Sequence, residues 1–149
     1  MNVREIAASE LPRLLELCQH LDTKDDSVVD RDTVEAIWQE LRVSPYHKYF
    51  GAYVEGLLVS SCALTLMPNL THGCRPYGVV ENVVTDPSYR KQGLATAVLK
   101  KALDYSWSKN CYKIMLVPGK DDEASFRLYE TVGFDRYNKQ SFIAIPSTS

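Results

Sequence analysis

The sequence predicts an α/β domain in which a mixed sheet is flanked by helices, and three observations lead there. Apolar residues recur at helical spacing in four segments; β-rich runs separate those segments; and no repeat, linker or low-complexity stretch interrupts the 149 residues. The predicted order is β, α, α, β, β, β, α, β, α, β. Residues 1–149 read as one domain, and 45% hydrophobic residues suffice to bury a core without metals or disulfides.

Residues 2–7 (NVREIA) alternate as a strand does. Ser9 is then expected to cap a helix on which Leu11, Leu14, Leu15, Cys18 and Leu21 form one apolar stripe, with Pro12 tolerated in its first turn. The polar run TKDDSVVDRD leads to a second helix carrying Val34, Ile37, Trp38 and Leu41, stopped between Val43 and Pro45. Two β-rich runs between Lys48 and Leu66 meet at Glu55 and Gly56, a compact hairpin signal. A strand follows from Tyr77 to Thr85, then a helix opening at Gly93 and Leu94. The last elements predicted are a strand at 111–117, a helix at 122–132 closed by Gly133, and a strand over Ser141–Ile145.

The junction between the Tyr77–Thr85 strand and the Gly93 helix has the chemistry of an anion site. Backbone N–H groups at a helix start lack intrahelical partners and lie at the positive end of the macrodipole. Arg90, Lys91, Gln92, Gly93, Leu94, Ala95 and Thr96 are therefore candidate phosphate-binding residues. Gly93 removes the side chain that would stand between ligand and backbone, and Arg90 and Lys91 add charge at the rim. The triphosphatase loop GxxxxGK(S/T) and the dinucleotide motif GxGxxG are both absent, so a phosphate ligand of another kind is implied.

Charge and cysteine usage narrow the class. A net charge of −2 argues against a nucleic-acid groove or an anionic membrane surface as the main partner. Cys18, Cys62, Cys74 and Cys111 form no CxxC, and His20, His47 and His72 show no metal-ligand spacing, so a reduced chain with no metal is expected. The charged start and the lack of any 18-residue apolar run lead to the expectation of a soluble, cytoplasmic protein.

Two motifs resemble the GNAT superfamily of acyl-coenzyme A dependent N-acyltransferases: RKQGLA at 90–95 is similar to its pyrophosphate loop, and SFRLYETVGF at 125–134 to its second signature. The resemblance spans essentially the whole chain in element order. A narrower similarity links HGC at 72–74, ENVV at 81–84 and NCYKI at 110–114 to the glucosamine-6-phosphate N-acetyltransferases. Here the chain departs from that group, with Asn82 in place of the second member of an acidic pair, Val117 or Pro118 where an acidic residue follows NCYKI, and no basic residue in SFIAIPSTS.

The resemblance implies a set of roles. Glu81 becomes a general base, acting through water on the acceptor amine; Tyr129 becomes the general acid beside the thioester sulfur. Val83 and Val84 offer backbone groups to the pantetheine amides and thioester carbonyl, and Asp122 stands where many relatives place a pantetheine-contacting Asn. A carboxylate near pKa ~4 faces an ammonium near ~10, so Glu81 needs partial burial or an amine that is losing its proton to solvent. Structural alternatives stand beside each role: Glu81 as a plain surface residue, Tyr129 as a core aromatic with its hydroxyl at the surface, Asp122 as a helix cap, and Lys100 and Lys101 as a solvated face rather than 3′-phosphate contacts. His72 and Cys74 are candidates to line the acceptor pocket, and no motif supports a cysteine nucleophile.

The expected activity is transfer of acetyl from acetyl-CoA to the primary amine of a small acceptor, an amino sugar among the candidates, by direct attack in a ternary complex. The alternatives are a non-catalytic acyl-CoA sensor and an acetyltransferase of protein N-termini or lysines. Asp22, Asp25, Asp26, Asp30 and Asp32 are candidates to attract a cationic acceptor. The alternating YNKQSFIAI segment suits a sheet edge through which a homodimer forms.

Overall fold

The computed structural model describes residues 1–21 and 29–147, which fall into two compact units, Met1–Leu116 and Val117–Ser149. Asp22, Asp25 and Asp26 lie outside the described residues, and Asp30 and Asp32 within them.

The first unit contains β1 (Asn2–Glu5), α1 (Leu11–Cys18), α2 (Arg31–Val43), β2 (His47–Val54), β3 (Leu57–Met67), β4 (Tyr77–Thr85), α3 (Leu94–Ser108) and β5 (Ile114–Leu116). The strands form one sheet in the order β1-β2-β3-β4-β5. The pairs β1–β2, β2–β3 and β3–β4 are antiparallel, and β4–β5 is parallel, which makes the sheet mixed as predicted. The hairpin turns at Glu55 (φ 49°) and Gly56 (φ 78°); two left-handed residues match the twist of the flanking strands.

Neighbouring residues on β2 show how the sheet is covered. Tyr49 meets Trp38 of α2 edge-on at 5.3 Å, and Phe50 meets Tyr105 of α3 at 5.6 Å. Successive side chains of a strand point to opposite faces, so α2 covers one face and α3 the other. On the α2 side, Leu11, Leu14 and Leu17 of α1 join Trp38, Ile6, Tyr53, Leu58 and Val84 in one cluster. Leu94, Val98, Leu99 and Ala102 of α3 are buried against the reverse face.

Two details of α1 differ from expectation. Ser9 sits inside a 3-10 turn, Ala8–Glu10, and is not the cap. The Glu10 carboxylate accepts from the Ala7 N–H (2.9 Å), from Arg4 Nη1 (2.8 Å) and from the Tyr53 hydroxyl (3.0 Å), tying β1, the start of α1 and β2 together. That extra turn delays the helix to Leu11, and Leu11, Leu14, Cys18 and Leu21 of the expected stripe still pack on the core. Leu17 is 0% exposed and Leu15 is 44% exposed, so Leu17 replaces Leu15 in the core.

The second unit contains α4 (Glu123–Val132), closed by Gly133 at φ 121°. The Gly133 N–H donates to the carbonyls of Tyr129 (3.2 Å) and Glu130 (3.1 Å), and the Phe134 N–H to that of Tyr129 (3.0 Å), which folds the Phe134 ring back against Tyr129 at 6.3 Å. Arg136 pairs with both Glu123 (2.9 Å) and Glu130 (2.7 Å). The strand expected over Ser141–Ile145 is not formed, and the one expected at 111–117 is reduced to Ile114–Leu116. A strand persists only where an edge receives its N–H and C=O groups, a condition that strand-forming residues do not supply by themselves.

Truncating Leu17 to Ala is expected to cost about 2–5 kcal/mol in urea unfolding, and the same change at Leu15 about 0.5 kcal/mol or less. Equal losses would contradict a phase of α1 that buries Leu17 and exposes Leu15.

Candidate active site

β4 carries the site, and its pairing changes halfway along. β3 follows it from Tyr77 to Thr85, but β5 pairs only with Gly78, Val79 and Val80. From Glu81 to Thr85 the edge away from β3 has no strand partner among the described residues. The Asp86 N–H donates to the Val59 carbonyl on β3 (2.8 Å). Backbone polar groups alternate between the two edges of a strand, so those of Val84 face β3 and those of Val83 face the open edge. The Val84 carbonyl also accepts from the buried Ser60 hydroxyl at 3.0 Å, and its side chain lies in the core cluster. Of the two valines, Val83 is the one with main-chain groups free for a ligand.

A bulge sits at the point of change. Ser61 opposes Val84 and Ala63 opposes Glu81, so a single β3 residue, Cys62, faces the pair Asn82 and Val83. Asn82 takes the left-handed conformation (φ 55°), which Asn tolerates better than most residues. The extra residue puts Glu81 and Val84 on the same face, the one covered by α1 and α2.

Beyond the end of β4 the chain is pinned before it reaches α3. Asp86 Oδ2 pairs with Arg13 Nη2 at 2.8 Å, Asp86 Oδ1 accepts from the Ser88 N–H at 2.9 Å, and Arg13 Nε donates to the Leu58 carbonyl at 2.9 Å. The Arg13 guanidinium holds the Asp86 carboxyl below the usual carboxylate range. Lys91 (φ 63°) and Gly93 (φ 77°) are left-handed on either side of Gln92, a geometry that turns successive N–H groups toward one concavity. Gly93 is the N-cap of α3 and has no side chain with which to cap it, which leaves the first-turn N–H groups of Leu94, Ala95 and Thr96 to a ligand or solvent. A Cβ on Gly93 would meet no protein atom within 4 Å, so the approach to these groups is open. Leu94 is buried and anchors the turn, while Arg90, Lys91 and Gln92 are exposed at its rim. Lys100 and Lys101 are exposed further along α3.

Glu81 is exposed and belongs to a face whose other members sequence reasoning did not find. Register aligns Tyr49, Ala63 and Glu81 in one row across β2, β3 and β4, and His47, Thr65 and Val79 in the next. His47 Nδ1 lies 3.1 Å from Thr65 Oγ1. The side chains of these rows are half-buried or exposed, whereas Phe50, Cys62, Leu64 and Val80 on the reverse face are buried beneath α3. The open half of the sheet face therefore presents Ala63 and Thr65 at its centre, with Glu81 as its carboxylate among the described residues.

Cys74 follows His72 and Gly73 in a turn of three left-handed residues, and its thiol meets the Leu70 carbonyl at 3.7 Å rather than a base. Burial pushes the Cys62 thiol up to about 12. Neither has the setting of an activated nucleophile.

In the second unit Asp122 caps α4, accepting from the Ser125 N–H (3.2 Å) and hydroxyl (2.6 Å). Both oxygens are committed to Ser125, so the residue fills the capping role. Tyr129 is half-buried in α4. Burial raises its hydroxyl above the ordinary tyrosine range, with the Asp122 charge adding to the shift and a hydrogen bond to Ser125 opposing it, so the phenol keeps its proton at neutral pH.

Comparison with known proteins identifies the family. The chain matches the acetyltransferase (GNAT) family over residues 12–134. It is 33% identical over 140 residues to a glucosamine 6-phosphate N-acetyltransferase of Trypanosoma brucei brucei, covering 94% of this chain and 92% of that one. A solved structure from Agrobacterium tumefaciens str. C58 superposes with a TM-score of 0.90 at 34% identity, over 98% of this chain and 100% of that chain. The fold alone is shared with AAC(6′)-Iy, solved with the bisubstrate analogue CoA-S-monomethyl-acetylneamine, at a TM-score of 0.78 and 17% identity over 97% of both chains. On the strength of the family match and the full-length relative, this chain belongs to the GNAT family and is an acyl-CoA-dependent N-acetyltransferase.

Proposed function

We propose that the protein transfers acetyl from acetyl-CoA to the primary amine of a small monoamine acceptor of the amino-sugar class. The observation that carries this reading is the coincidence, within one strand and its following turn, of an unpaired strand edge, an uncapped helix start and one carboxylate. The Gln92–Thr96 turn would take the pyrophosphate, with Arg90 and Lys91 at its rim. The Val83 main chain would pair with the pantetheine arm. Acetyl-CoA supplies the acyl group as a reactive thioester.

Glu81 then takes the proton from the acceptor nitrogen. Because the side chain is exposed, a bridging water and an amine already losing its proton to solvent suit it better than a desolvated base. Tyr129, kept protonated by burial, provides the O–H donor for the departing sulfur. Among the described residues this face offers one carboxylate beside hydroxyl, imidazole and aliphatic groups, which fits a monoamine bearing hydroxyls better than a polyamine with several ammonium groups. The relative that acts on glucosamine 6-phosphate supports the same class.

The protein also works as a homodimer in this reading. Phe142, Ile143 and Ile145 are 90%, 67% and 78% exposed, in a segment with strand-forming residues and no strand partner among the described residues. A second copy is the occupant that would bury them.

Three measurements test this. Glu81→Gln should lower kcat/KM for the amine by about 100-fold or more at neutral pH, and Tyr129→Phe by a smaller factor, with CoA binding intact in both; full activity in Glu81→Gln sinks the base assignment. Gly93→Ala should raise the CoA Kd by roughly 10-fold through a strained dihedral and an obstructed approach; unchanged binding would move the phosphates elsewhere. Light scattering should give twice the 16.9 kDa chain mass, reduced to one by Phe142→Asp. A monomeric wild type contradicts the dimer.

A further inference from the structure

The row that crosses three strands at Glu81 has a second chemical end. Tyr49 opposes Ala63, and Ala63 opposes Glu81. Directly opposed residues of antiparallel strands share a face, and strands lie about 4.8 Å apart, so the backbones of Tyr49 and Glu81 stand roughly 10 Å from each other. Between them is one methyl group. The gap has the width of a single small ring.

Tyr49 is held rigidly in this row. Trp38 packs edge-on against its ring at 5.3 Å, and Trp38 is fixed in turn by its indole N–H donating to the Ala8 carbonyl at 3.1 Å. Burial raises the Tyr49 hydroxyl above the ordinary tyrosine range, so the phenol keeps its proton and can donate. Asn82 is the bulge residue immediately after Glu81, with the left-handed backbone that re-aims its side chain. The carboxylate residue thus stands at one end of the row and the phenol residue at the other.

We propose that Tyr49 is a specificity-determining residue: its hydroxyl binds a hydroxyl or ether oxygen of the acceptor across Ala63, while Glu81 receives the amine. The proposal rests on Glu81 being the base. A phenol exchanges hydrogen bonds with such an oxygen, and neither it nor the neutral Asn82 amide balances a second ammonium group. The acceptor selected is a ring amine with an oxygen substituent beside the nitrogen. Ala63 is small because that ring passes over it.

Steady-state kinetics with glucosamine 6-phosphate, cyclohexylamine and spermidine as acceptors test the assignment in wild type, Tyr49→Phe, Ala63→Leu and Glu81→Gln. Tyr49→Phe should raise the KM for glucosamine 6-phosphate about 10-fold, the value of one lost hydrogen bond, with kcat, the acetyl-CoA KM and the thermal midpoint little changed. Ala63→Leu should abolish amine turnover and leave CoA affinity intact. Cyclohexylamine, which lacks the oxygen, should be a poor acceptor and insensitive to Tyr49→Phe. An unchanged KM in Tyr49→Phe, or a wild type that acetylates spermidine and not glucosamine 6-phosphate, overturns the proposal. A raised KM in Tyr49→Phe together with full activity in Glu81→Gln removes the base assignment and leaves Tyr49 as an acceptor contact.

Discussion

The pairing of β4 governs every other part of the site. Among the described residues the strand has partners on both edges from Gly78 to Val80 and on one edge from Glu81 onward. A sheet cannot leave main-chain groups unpaired in its interior without cost, since each buried N–H or C=O needs a partner. The unpaired stretch of β4 is therefore a place where a ligand main chain or amide can complete the sheet, and pantetheine is a chain of amides. The same stretch carries the bulge at Asn82, the carboxylate of Glu81 and, beyond Asp86, the turn into α3. In the proposed mechanism, one backbone trajectory sets the thioester, base and phosphate positions.

That trajectory is stiffened from below. Arg13 reaches from α1 to the Leu58 carbonyl on β3 and the Asp86 carboxylate at the exit of β4, so α1, the sheet and the turn into α3 share one side chain. Leu17, Leu14 and Val84 fill the space between them. The strained dihedral at Lys91, two residues before the left-handed Gly93, is thus supported by packed elements on one side and open on the other. Such strain is tolerable only where its surroundings over-determine it.

How much of this is legible in the sequence follows from the range of each interaction. The Glu55–Gly56 turn, the bounds of β4, the start of α3 at Gly93 and the Asp122–Gly133 limits of α4 are set by neighbours a few residues apart, and local rules read them correctly. Of the α1 stripe, Leu11, Leu14, Cys18 and Leu21 pack on the core as read and only Leu15 gives way to Leu17, while Ser9 looks like a cap only when the 3-10 turn at Ala8–Glu10 is ignored. The Ser141–Ile145 strand fails for a different reason: its residues favour β structure, but a strand is a property of two edges. The partners of Glu81 are invisible. Tyr49 and Ala63 reach it only through register between strands separated by many residues, and no short motif encodes register.

If coenzyme A completes the open half of β4 and the start of α3, its binding must be felt first by the backbone amides of those two segments. An amide-resolved NMR titration with CoA measures this. The largest shifts and the strongest new exchange protection are expected at the N–H groups of Val83 and of Gln92–Thr96, with Leu66 and Val80, paired within the sheet, unaffected. Saturable binding whose shifts fall elsewhere, with Val83 and Gly93 unmoved, would contradict this placement of the coenzyme.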